Sequence, residues 1–115
     1  MADHPSTVVV VTHDGMGSAT APLQHRLLKN YLTLLLENEM LPQAICFYGE
    51  GVRMVIDGSP VLEELQALAE KGVYLIACET CLNYYDYLDR RAVGIVGSMA
   101  DIVEAQWRAE KVITL

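Results

Sequence analysis

The sequence predicts a three-layer α/β/α domain with a five-stranded, mainly parallel sheet of the flavodoxin-like type. Three observations predict it. Short apolar, β-branched runs alternate with amphipathic helical stretches along the chain, in the order β-α-β-α-β-α-β-α-β. The first run, Val8 to Val11, is unbroken valine, as expected of a strand covered on both faces. No repeat, low-complexity tract or linker-like stretch interrupts residues 6–115, so residues 1–115 read as one domain with a flexible lead at 1–6.

Thr7 to His13 forms the first strand, and Asp14-Gly15-Met16-Gly17-Ser18 ends it. Pro22 suits a first helical position, and Leu23, Leu27, Leu28, Tyr31, Leu32, Leu35 and Leu36 recur at helical spacing up to Asn38. Ala44 to Tyr48 is a second strand, closed by Gly49. Ser59 is placed to cap a helix with Pro60 at its first position; Val61, Leu62, Leu65, Leu68 and Ala69 carry its apolar face to the stop at Gly72. Val73 to Ala77 is the third strand, followed by Cys78-Glu79-Thr80-Cys81 and a short helix, Leu82 to Leu88. Ala92 to Val96 is the fourth strand. Ser98-Met99-Ala100-Asp101 resembles a capping box, opening a helix that turns Met99, Ile102, Val103 and Trp107 inward before a last strand, Val112 to Leu115.

Composition narrows the function. The chain has 115 residues, 52% apolar, enough to build a core without metal or disulfide support. Its net charge of -7, with no run of Lys or Arg, repels a phosphate backbone, so no nucleic-acid partner is expected. No apolar run approaches the roughly 18 residues of a membrane span, and Met1-Ala2-Asp3-His4-Pro5 does not begin a secretory signal, so no membrane partner and a cytoplasmic location are expected. In that reducing compartment the three cysteines are reactive, metal-binding or buried rather than paired in structural disulfides.

In parallel sheets, chemistry gathers at the carboxyl ends of the strands, near the point where strand order reverses. His13 and Asp14 end the first strand, Cys46 and Tyr48 lie near the end of the second, and Cys78 follows the third. Arg90 and Arg91 precede the fourth strand and belong to the opposite edge as a solvated turn. The sharpest feature is Cys78-Glu79-Thr80-Cys81, because a strand-to-helix junction places sulfur beside helix N-terminal amides that stabilise a thiolate. Two sulfurs at this spacing can also close a disulfide. Glu79 opposes the effect, since a neighbouring anion disfavours a second negative charge. Otherwise the pair serves as small core hydrophobes, the reading preferred for Cys46 inside its apolar strand.

A Cys-x-x-Cys is half of a zinc site, but no second pair exists and His4, His13 and His25 share no ligand spacing, so neither metal nor cofactor is assigned. The Gly15 and Gly17 loop either holds an anion on its amides or is a polar turn using glycine for positive φ. Tyr84, Tyr85 and Tyr87 either wall a sulfur pocket or interface, or cover their helix. Arg53, the only base near the predicted edge, either holds an anionic partner or joins a surface ion pair.

Several segments together resemble the DsrE/DsrF-like sulfur-relay family: Phe47-Tyr48 with Gly51-Val52, Gly58-Ser59-Pro60-Val61-Leu62-Glu63, Lys71-Gly72-Val73, Cys78 with Thr80-Cys81-Leu82 and Tyr85, and Ala92-Val93-Gly94. Within it the chain is most similar to the DsrE-like C-terminal domain of YedF-type proteins of selenium metabolism. The resemblance implies a homo-oligomeric α/β domain in which Cys78 carries sulfane sulfur as a persulfide. It also implies partners that donate and accept sulfur, with a TusA-like protein as a candidate donor, because YedF-type proteins join the domain to such a module. The family position between the cysteines is Gly where this chain has Glu79.

The function expected is therefore a cytoplasmic sulfur carrier or sulfurtransferase-like protein, with Cys78 accepting sulfur and Cys81 releasing it by disulfide formation. His13, Asp14, Gly15, Gly17, Tyr48, Thr80 and Tyr85 are the candidate binding residues around the pair. The alternatives are a non-catalytic ligand- or protein-binding module, or a thiol-disulfide redox protein using Cys78 and Cys81.

Overall fold

The computed structural model describes residues 4–115. Its strands are β1 (Thr7–Val11), β2 (Ala44–Phe47), β3 (Tyr74–Cys78), β4 (Ile95–Gly97) and β5 (Lys111–Thr114). Its α-helices are α1 (Ala21–Glu37), α2 (Leu62–Glu70), α3 (Glu79–Tyr84) and α4 (Met99–Arg108), with 3-10 segments at Gly49–Val55 and Leu88–Arg90.

All five strands are parallel, in the order β4-β3-β2-β1-β5. The chain steps one way from β1 to β4, then recrosses the sheet to place β5 beside β1. Right-handed crossovers therefore put α1 and α2 together on one face and α4 on the other. Side chains alternate accordingly. Val9 and Ile113 share a cleft with Tyr31 and Leu35 of α1. Val8, Ala44, Tyr74, Ile76 and Ile95 share one with Asp101, Glu104 and Ala105 of α4. The core is the valine strand β1 with Ile45, Phe47, Leu28, Leu32, Leu65 and Leu68, all buried.

Local chemistry shifts several element boundaries from those the sequence predicts. β1 stops at Val11, because Thr12 and His13 turn to hydrogen-bond one another (3.1 Å) and His13 bridges to Gly15. α2 starts at Leu62 rather than Pro60, since the Ser59 hydroxyl accepts from the Val61 amide (3.2 Å) within a turn that precedes the helix. β4 starts at Ile95 because the amides of Ala92 and Val93 are both spent on the Val55 carbonyl, and Gly94 turns through φ +80°. The capping box at Ser98 and Asp101 is present in both halves. The inward set predicted for α4 is not: only Ile102 is buried, while Met99, Val103 and Trp107 face solvent, Trp107 at 85% exposure. α4 touches the sheet through one ridge, so its second apolar ridge has nothing to cover it among the described residues.

Of the lead at 1–6, residues 1–3 lie outside the described residues. Ser6 is fixed to the start of β5: its amide donates to Glu110 (3.0 Å), and its hydroxyl and carbonyl accept from the Glu110 and Lys111 amides (3.0 Å each).

Candidate functional site

Cys78 ends β3 and stands at the N-cap of α3, so Cys-x-x-Cys spans the last strand residue and the first helical turn. The helix thus begins at Glu79, three residues before the predicted Leu82, and ends at Tyr84. Cys78 is wholly buried, whereas Cys81 is half-buried. Both thiols are free, as is Cys46.

The second wall of the site comes from the segment after β2. The Tyr48 amide donates to the Val11 carbonyl at the end of β1 (3.2 Å), and Gly51 closes a turn on the Tyr48 carbonyl (3.0 Å). A Cβ on Gly51 would fall inside the Val11 carbonyl, so only glycine lets the 3-10 segment lie this close to β1. Gly49, at φ +59°, then aims its amide at Cys81 Sγ, 3.1 Å away. This backbone donor favours the Cys81 thiolate, while the neighbouring Cys78 thiol is the second polar group in contact with that sulfur.

Burial is nevertheless the largest influence on Cys81 and pushes its thiol above the ordinary range; the Gly49 amide opposes it, and the adjacent Cys78 thiol adds a smaller upward push. At Cys81, therefore, burial outweighs the backbone donor. Glu79 is not among the groups that move it. Cys46, sealed between β1 and β3, is pushed up to about 11 by burial, which makes it inert at neutral pH.

The remaining candidate residues divide into two groups. Thr80 is exposed in the first turn of α3. Tyr48 and Tyr85 are half-buried and flank the cysteines through the 3-10 segment and the end of α3. His13, Asp14, Gly15 and Gly17 lie at the same sheet edge, since the Thr12 carbonyl packs on Gly49, but their polar groups turn toward their own chain. Asp14 pairs with His25 (3.1 Å), and the buried Gln24 side chain donates to the Gly17 carbonyl. The Met16 amide donates to the Gln24 carbonyl (3.0 Å), and Gly15 packs against Gln24 at φ +127°. The loop is thus a turn pinned to α1.

The sequence reading missed Gly49, whose amide reaches the sulfur. It also left Arg53 as a choice between ion pair and anion holder, and Arg53 forms no ion pair among the described residues. Its guanidinium instead lies 5.4 Å from the ring centre of Tyr85 and 5.7 Å from that of Tyr87. The tyrosines form one stack, with Tyr85 and Tyr87 at 5.6 Å and Tyr84 edge-on to Tyr85 at 5.2 Å. Arg90, by contrast, pairs with Asp57 (2.7 Å) while resting on the Tyr87 ring. The signal available in the sequence was spacing: Gly49 and Arg53 are four residues apart, as are Cys81 and Tyr85.

Solved structures share this architecture. The ychN protein of E. coli is 19% identical, covering 96% of this chain and 99% of its own, with a TM-score of 0.68. A protein of unknown function, MTH1491 from Methanobacterium thermoautotrophicum, is 18% identical over 97% and 100%, with a TM-score of 0.72. BT1422 from Bacteroides thetaiotaomicron, also of unknown function, is 15% identical over 96% and 95%, with a TM-score of 0.66. At these identities the likeness concerns the fold. No curated protein sequence matches the chain. The model of the DsrE/DsrF-like family matches residues 6–115, and the chain, whose sheet and cysteine edge fall wholly within that span, belongs to the DsrE/DsrF-like family.

Proposed function

We propose that the protein is a sulfur carrier in which Cys78 holds sulfane sulfur as a persulfide and Cys81 is the sulfur through which it is reached. One observation carries the reading: two interacting thiols at the carboxyl edge of the sheet, the outer one contacted by a fixed backbone amide. A donor meets half-buried Cys81 first. The Cys78 thiolate then attacks the outer sulfur of the Cys81 persulfide; a Cys78–S bond forms, the Cys81–S bond breaks, and Cys81 leaves as thiolate. The buried position of Cys78 keeps the stored sulfur from small reductants, and passing it on retraces the same step to an acceptor thiol. Family membership and the Gly58 to Glu63 block support cytoplasmic sulfur or selenium trafficking near YedF-type proteins, with a TusA-like protein as donor. The uncovered stripe Met99, Val103 and Trp107 supports a homo-oligomer.

The test is intact-mass spectrometry of the reduced protein, without oxygen, after exposure to a sulfane-sulfur donor. Wild type is expected to gain one cyanide-labile sulfur per chain, Cys78→Ala to lose its lasting label, and Cys81→Ala to load slowly. No gain in wild type would sink the carrier role. The same sulfur contact supports a second reading, a thiol-disulfide redox protein; it predicts a Cys78–Cys81 disulfide with no transferable sulfur.

A further inference from the structure

Arg53 stands apart from every other base in the molecule. The other seven Lys and Arg residues are exposed, and Arg53 alone is not. It is also without a carboxylate partner among the described residues, and its Nε is sealed from solvent with no hydrogen-bond acceptor. A guanidinium kept half-buried and unneutralised is costly. The rings of Tyr85 and Tyr87 return only part of that cost, because they offer π faces and no acceptor in the plane of the guanidinium fork.

The position of this group gives it a use. Gly49 touches Cys81, and Arg53 touches Tyr85; each contact partner lies four residues further along its own element, and the Tyr85 amide closes the turn on the Cys81 carbonyl (3.1 Å). The two contacts are therefore successive along the same pair of elements, separated by about 6 Å of rise on α3 and about 8 Å on the 3-10 segment. We infer that Arg53 is the seat of an oxyanion bonded directly to sulfane sulfur, the thiosulfate class, with its guanidinium fork holding the oxygens while the outer sulfur faces Cys81. The -7 net charge disfavours an acidic protein surface here, whereas one small anion meets the local cation. The step balances without an added oxidant or reductant. The Cys81 thiolate attacks the sulfane sulfur, a Cys81–S bond forms, the S–S bond of thiosulfate breaks, and sulfite leaves with the electron pair. This inference rests on the carrier reading for that step, but the anion seat can be tested without it.

Iodoacetate and iodoacetamide alkylate the same thiol and differ in one negative charge. In wild type, the iodoacetate to iodoacetamide rate ratio at Cys81 is expected to exceed that of Arg53→Gln by about ten- to a hundredfold, with Arg53→Lys between them. Methanesulfonate is expected to protect wild-type Cys81 from iodoacetate but not from iodoacetamide, a measurement that needs no variant to fold. An unchanged ratio, or no such protection, overturns the seat. Thiosulfate loading that proceeds in Arg53→Gln at the wild-type rate overturns it while leaving the carrier standing. A shifted ratio without any sulfur loading keeps the seat and removes the carrier.

Discussion

The amide of Gly49 and the sulfur of Cys81, 32 residues apart in sequence, meet at 3.1 Å. This contact joins the segment after β2 to the helix after β3 and fixes where the accessible thiol of the pair sits. It also ranks the three cysteines by reactivity, because Cys81 is half-buried beside a donor while Cys46 and Cys78 have no exposed surface.

Brief treatment of the folded, reduced protein with iodoacetamide should label Cys81 first and leave Cys46 untouched until the chain unfolds. Peptide mass mapping before and after denaturant reads this directly. Label on Cys46 in the native protein would contradict its burial.

The Cys81 rate should rise with pH in a stated way. Burial holds this thiol above the ordinary range, so its thiolate fraction near neutrality is small and grows tenfold with each pH unit. The alkylation rate should therefore still be climbing beyond about 8.5, where an unperturbed cysteine begins to level off. A plateau below pH 8 would mean that the Gly49 amide outweighs burial.

Gly51→Ala should destabilise the protein by about 3 kcal/mol, because the new methyl must displace either β1 or the 3-10 segment. Urea denaturation measures the loss. Any folded fraction should also show altered Cys81 alkylation, since the Gly49 amide moves with its neighbour.

Ser98→Ala removes the hydroxyl half of the α4 capping box, leaving the Asp101 carboxylate on the residue 98 amide, and should cost about 1 kcal/mol, read as a lower urea midpoint with unchanged slope. Thiol reactivity should stay as in wild type.

Paired substitution of Val103→Glu and Trp107→Glu should leave folding within about 0.5 kcal/mol of wild type, because both side chains face solvent. If the stripe joins copies of the chain, sedimentation velocity should show the wild type larger than the variant. Equal sedimentation of the two would separate this stripe from assembly.

These residues also show what the sequence makes legible. The Ser98 to Asp101 box is read correctly because its bonds span three residues, and the body of β1 because four valines admit little else, although the strand ends at Val11 rather than His13. The Met99, Val103 and Trp107 stripe is misplaced because helical spacing finds an apolar ridge without saying what packs on it. β4 begins late because Val55, some 40 residues upstream, takes the amides of Ala92 and Val93. At the site, Cys78 and Cys81 are legible as a pair by spacing. The Gly49 donor and the unpaired state of Arg53 are not, because both depend on how two segments 30 residues apart lie side by side.

The recrossing from β4 to β5 bears on how the molecule opens. β1, β2, β3 and β4 are neighbours in both sequence and space, each joined to the next by a local crossover, whereas β5 meets β1 across about a hundred residues. α4, the link to β5, buries a single large side chain, Ile102, with only the small Ala105 packed beside it. Native-state hydrogen exchange should therefore find α4 and β5 to be the first cooperative unit to unfold, at a free energy below that of global unfolding. Such an opening would bare one edge of β1 while β1 to β3, with both cysteines and the Gly49 segment, remain folded.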